Sequence, residues 1–173
     1  MHDGWPAYVI GYKKAADILV DYIKENRRSQ DTLVYPILFL YRQYLELAIK
    51  NIINKGRQLQ DIRGAMPTGH KIHDLWKICE NLLTDVAPGD SVEEIKEINR
   101  LISEFCAVDP KATAFRYPED KDGTPSLSGI KHINIRNVYD VIEKISVILE
   151  GAEMMISEYI NAKAEMESYY SDL

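Results

Sequence analysis

The chain has 173 residues, enough for one domain that buries a sizeable core. With 46% hydrophobic and 28% charged residues, it has the make-up of a globular protein rather than a disordered or fibrous one. Its net charge of −6 excludes nucleic-acid binding through bulk charge, and no apolar run reaches the roughly 20 residues needed to cross a bilayer. No membrane partner is therefore expected. The charge is uneven, however. Residues 1–87 carry 12 Lys/Arg against 10 Asp/Glu, whereas residues 88–173 carry 9 against 17. A local basic patch from Arg27, Arg28, Lys55, Arg57, Arg63 and Lys71 is the remaining route to a nucleic acid. The opening MHDGWPAYVIGYKK has no basic segment ahead of an apolar run, so no signal peptide is expected and a cytoplasmic location is the default. Cys79 and Cys106 fall within amphipathic patterns and read as reduced core thiols.

In chain order, Val9, Tyr12, Ala16, Ile18, Leu19, Tyr22 and Ile23 recur mostly at three- and four-residue steps and predict a first helix from near Ala7 to near Asn26. Arg27-Arg28-Ser29-Gln30 connects it to the dominant stretch, Asp31 to about Lys55. There the apolar residues run nearly all the way round, which predicts a central helix wrapped by the others. Asp31 suits its N-cap, Pro36 lies early, and Gly56 suits its stop. Residues 57–69 lose periodicity and read as a loop. A third helix is expected from Lys71–Asp74 to about Asp85. Ser91-Val92-Glu93-Glu94 fits a capping box for a fourth helix ending before Asp109-Pro110. Residues 109–133 predict a long connection, and a final helix is expected from near Asn134 to about Tyr169. No strand alternation or internal repeat is present. The predicted fold is all-α: one domain over residues 1–173, a bundle of about five helices with a long loop before the last.

Three constellations carry candidate chemistry. On the central helix Arg42, Glu46 and Lys50 stand four residues apart and so share a face. A carboxylate between two cations can orient them toward a phosphate or a base. The same spacing also makes an ordinary ion-pair ladder on the wettest face of a long helix, and this solvated reading is the default. His70, His73 and Asp74 bear metal or acid–base side chains, but zinc needs three or four ligands in fixed geometry, and helix entry accounts for them equally. Phe115-Arg116-Tyr117-Pro118-Glu119-Asp120 joins aromatics to a cation in a loop, suited to base stacking or to pinning the loop on the bundle. There is no Gly-rich phosphate loop with Lys-Ser/Thr, no G-x-S-x-G and no HExxH, and no cofactor or metal is expected.

YPILFLYRQYLELAIKNII, followed by a loop and GHKIHDLWKICENLL, resembles the second and third helices of HEPN domains, and FRYPED resembles an element often met before the last helix of that family. The resemblance covers most of the chain and its motifs are moderately specific. It implies a helical bundle, a homodimer, and a setting in prokaryotic toxin–antitoxin, CRISPR or phage-defence systems, where many relatives are RNases. Their usual signature is Arg, four to six residues, then His near the start of the last helix. Here Arg136 matches the Arg, but positions 141–143 are Val141, Ile142 and Glu143, so the His is missing. Arg63 and His70 have the spacing but lie in a loop, where chance explains the match.

Two functions follow as expectations. The first is a HEPN-like binding or assembly module, with a second copy, RNA or a nucleotide, or a partner protein as candidate partners. The second is a divergent ribonuclease or nucleotide-acting enzyme. It would use Arg42, Arg116 and Arg136 on phosphate charge, Glu46 to orient them, and His70 as acid or base.

Overall fold

Among the described residues five helices follow one another: α1 (Trp5–Glu25), α2 (Gln30–Leu59), α3 (Ile72–Val86), α4 (Val92–Val108) and α5 (Ile135–Ser171). The computed structural model describes every residue except 1–3, 27–28, 88, 90–91, 109–113, 128–129, 131 and 172–173. The fold is an all-α bundle, and among the described residues the only β feature is an isolated bridge between Glu119 and Pro125. None of these helices is long and apolar enough to cross a membrane.

The bundle is built around α2. Half of its 30 residues are buried, and α1, α3 and α5 all pack against it. Ile37, Leu45, Ile49 and Ile53 have no exposed surface, as a helix apolar on most sides requires. α4 is the outer layer. Its Ile98, Leu101 and Ile102 close the core against α3 and α5. Polar ties cross the same joints. Tyr41 donates to Asp17 at 2.8 Å, joining α2 to α1, and Lys13 bonds both Asp17 and Glu143 of α5. Trp76 donates to Asn99, whose amide donates to Glu80 at 2.8 Å, joining α3 to α4.

Several helix ends differ from the expected ones. α2 starts at Gln30 after Ser29, which makes no side-chain cap bond, so Asp31 lies in the first turn, where it suits the helix dipole, instead of capping. Pro36 is therefore the seventh helical residue and forfeits the bond its N–H would have made to the Thr32 carbonyl. Gly56 does not end α2. It lies inside the helix, buried, with Leu82 of α3 packed where a Cβ would stand. The helix ends at Leu59, and Asp61, with a left-handed φ of 55°, reverses the chain. The Ile62 N–H bonds the Arg57 carbonyl at 2.9 Å and the Asp61 N–H bonds the Gln58 carbonyl at 3.2 Å, the paired bonds of a Schellman motif. Lys163 of α5 holds the Asp61 carboxylate and donates to the Leu59 carbonyl at 3.1 Å. At the start of α5, Asn134 Oδ1 accepts from the Asn137 N–H at 3.1 Å, an N-cap that removes one orphan donor.

Ser91, the expected cap of α4, and Asp109-Pro110, its expected end, lie outside the described residues, as do a few further positions of the connection before α5. The described part of that connection is ordered by its own hydrogen bonds. Asp120 Oδ1 accepts from the backbone N–H groups of Asp122 and Thr124 at 2.9 and 3.0 Å. Phe115 is buried against Phe105 of α4, with ring centroids 6.1 Å apart. Cys79 is fully buried and burial raises its thiol pKa, while Cys106 is partly exposed beside the core. The 37 residues of α5 span about 55 Å at the usual helical rise. Its last buried residue is Ile156, so the helix runs on for about four turns with no buried position.

Candidate functional site

The polar stripe of α2 is buried. Arg42, Glu46 and Lys50 expose only 6%, 3% and 9% of their surface. The expectation of a solvated ladder on the wettest face therefore fails, for a structural reason. The chain returns to this face: His70, in the segment entering α3, bonds both Arg42 and Glu46. Glu46 is the centre of the cluster. Its Oε1 accepts from Lys50 Nζ at 2.9 Å and from His70 Nδ1 at 2.8 Å, and its Oε2 accepts from Arg42 Nη1 at 3.2 Å. Arg42 Nη2 also donates to the His70 backbone carbonyl at 2.6 Å. Two helical repeats of four residues thus place the cations one turn below and one turn above the acid. A loop residue completes the shell.

Burial alone would raise the Glu46 carboxyl pKa. The hydrogen bonds from Lys50 and His70 more than offset it and hold the group below the ordinary carboxylate range. Because an ionised carboxylate only accepts, His70 must carry its proton on Nδ1. The ring is otherwise out of the cluster, with 75% of the side chain exposed, so Nε2 is left to the solvent side. Chemically, the arrangement can do two things. It can fasten the 60–71 segment to α2, and it can orient an exposed imidazole through a buried carboxylate.

The remaining expected site residues are not part of it. Arg116 is exposed, its guanidinium 5.6 Å from the Tyr117 ring. It lines a separate groove of about 590 Å³ with Asp31, Tyr35 and His132. The α2 residues of that groove end at Tyr35, seven positions before Arg42, about 10 Å along the axis. Arg136 is exposed in the first turn of α5, beside Lys24 at the end of α1. The five expected residues therefore do not converge: Arg42, Glu46 and His70 meet, while Arg116 and Arg136 stand apart from them. Lys50 joins the cluster instead, as its position four residues after Glu46 signals.

No family model matches the chain, and no curated protein or solved structure matches it.

His73 and Asp74 sit at the exposed start of α3, 3.9 Å apart. Among the described residues, no group of three His, Cys, Asp or Glu side chains is placed to hold a metal. Of the FRYPED stretch, Phe115 pins the loop to the bundle, and Arg116 and Tyr117 face outward. The pinning of the loop is thus carried by Phe115.

Proposed function

We propose that the chain is a HEPN-like binding and assembly module working in a prokaryotic defence or toxin–antitoxin setting. The family and the setting rest on the resemblance of its α2, α3 and FRYPED segments to HEPN domains. The all-α bundle is consistent with them. One observation carries the choice of a module over an enzyme. The charges of the α2 stripe are engaged inside the fold by Glu46 and by the His70 carbonyl, so they hold the 60–71 segment rather than present an open phosphate site. The two expected site arginines that are exposed, Arg116 and Arg136, are not gathered with His70 or with each other around one cleft.

The surface suited to assembly is the far half of α5. Met154, Tyr159, Met166, Tyr169 and Tyr170 are all exposed there, more apolar surface than a solvated helix end requires. A second copy of the chain or a partner protein fits this description.

A second reading has one observation in its favour. The Glu46–His70 pair holds an exposed imidazole in one tautomer, as a general acid or base would be held. Incubation of the purified protein with total RNA, alongside Arg42→Ala and His70→Ala, separates the two. The module reading predicts no cleavage by any of the three proteins. It also predicts an assembly mass in light scattering that falls when Met154 and Met166 are both changed to Glu. Cleavage by the wild type that is lost in His70→Ala overturns it in favour of a divergent ribonuclease.

A further inference from the structure

The far half of α5 runs beside the last residues of α2 and α3, and an open groove of about 600 Å³ lies along the joint. Leu59 of α2 and Val86 of α3 are half-buried in it. Tyr159, Met166 and Tyr170 of α5 form its other wall and are 41%, 60% and 68% exposed. These three stand at steps of seven and four residues, so they share one helical face. From the first to the last the face runs about 16 Å, roughly three turns.

The groove is framed by acids. Asp85 and Glu167 line it. At about 3.6 residues per turn, Glu158 and Glu165 fall along one edge of the apolar face of α5, and Glu167 falls along the other. All four carboxylates are exposed, and none has an ion-pair partner among the described residues. The two lysines that tie α5 to α2 are already spent. Lys163 holds Asp61 and the Leu59 carbonyl, and Lys55 holds Glu153 and Ser157. Nucleic acids and anionic lipid surfaces do not suit such a groove, because their phosphates would meet like charge. A second copy does not suit it either, because a two-fold contact would lay this acidic face against itself. Its complement is an apolar stripe bordered by cations, the pattern of a basic amphipathic helix lying in a groove.

We propose that this groove docks a cationic amphipathic helix of a partner protein. The apolar face of that helix lies on Leu59, Val86, Tyr159, Met166 and Tyr170, and its lysines or arginines meet Asp85, Glu158, Glu165 and Glu167. The inference rests on the reading of the chain as an assembly module and names the chemistry of the partner. Met154 falls on the other side of α5, which leaves that side for contacts between copies.

Fluorescence anisotropy of the full chain with three labelled synthetic peptides tests it. One is a Leu/Lys peptide with leucines at three- and four-residue steps. The second has the same composition in an order that gives no apolar face, and the third replaces every Lys by Glu. The first binds saturably, and the other two bind about tenfold or more weaker, the scale set by losing the apolar contact or reversing the charge. Glu165→Gln with Glu167→Gln weakens it several-fold and flattens its salt dependence. Tyr159→Ser with Met166→Ser weakens it about tenfold. All four side chains are exposed, so these variants keep the fold. Glu25→Gln with Asp140→Asn removes two exposed acids near the opposite end of α5, where Lys24 lies over the Tyr139 ring, and leaves the affinity unchanged. Absence of saturable binding, equal binding of the reordered peptide, full affinity in the groove variants, or an equal loss in Glu25→Gln with Asp140→Asn overturns the proposal. Its failure is separable from failure of the module reading. RNA cleavage that His70→Ala removes overturns the module and leaves peptide binding as measured. A groove that ignores the cationic peptide, while assembly mass still falls on changing Met154 and Met166 to Glu, overturns the cationic partner and leaves the module with a second copy.

Discussion

Glu46→Ala is expected to cost about 3–5 kcal/mol of folding stability at neutral pH, measured by urea denaturation, because it strands two buried cations. Arg42 and Lys50 are each less than a tenth exposed and each spends a donor on this carboxylate. Truncation removes their common acceptor. His70 is released as well, and with it the side-chain anchor of the 60–71 segment. The pH dependence follows from the depressed pKa of the acid. Its contribution is whole above the unfolded carboxylate value of about 4.3 and is lost as pH falls from there through the lower folded value. The gap between wild type and Glu46→Ala should therefore be widest near neutrality and close in acid. Replacing all three stripe residues with apolar ones (Arg42→Met, Glu46→Leu and Lys50→Met together) should recover most of the loss, since an absent ion cluster costs far less than a broken one.

Gly56→Val should destabilise by about 1–3 kcal/mol, although glycine is ordinarily a poor residue inside a helix. A Cβ at position 56 would lie 2.8 Å from Leu82 Cγ, closer than packed carbons tolerate, and Leu82 is itself buried. Glycine lets α3 approach the α2 backbone at this crossing. Gly151 of α5 gives the control, because it is exposed and a Cβ there meets nothing. Gly151→Ala should stabilise by about 1 kcal/mol through helix propensity alone. In a Leu82→Ala background the penalty at position 56 should largely vanish, and a double-mutant cycle reads that coupling. If both glycines respond alike in thermal melts, the close α2–α3 contact is refuted.

The same two positions show how far the sequence could be read. Apolar residues at three- and four-residue steps report which face of a helix is covered, so the existence and order of α1 to α5 were legible from local pattern. The helix ends were less so. Gly56 carries the residue type of a stop, but its smallness serves a neighbour 26 positions later in the chain, which no local rule reports. The true end uses Asp61 in a left-handed conformation that glycine more commonly fills. For the candidate site, the four-residue spacing of Arg42, Glu46 and Lys50 was visible, and so was their common face. Their burial was not, because charge suggests solvent and the return of His70 onto Arg42 and Glu46 is a long-range contact. Arg116 and Arg136 looked like members of one site by residue type, yet they sit on elements that pack elsewhere. Tyr44 and Asn51 carried no signal at all. Each is ordinary in a helix, and only the meeting of α1, α2 and α5 shows that both are buried with a polar atom left unpaired among the described residues.

The central claim is that the ionic stripe of α2 is an internal fastening rather than a surface strip. Lysine acetylation followed by mass spectrometry tests it most directly. Lys50 is nearly buried on Glu46, whereas Lys14 and Lys77 are exposed. Under native conditions Lys14 and Lys77 should be modified while Lys50 remains unmodified, and Lys50 should react only once urea unfolds the chain. Modification of Lys50 in the native protein at the rate of Lys14 and Lys77 would contradict the account.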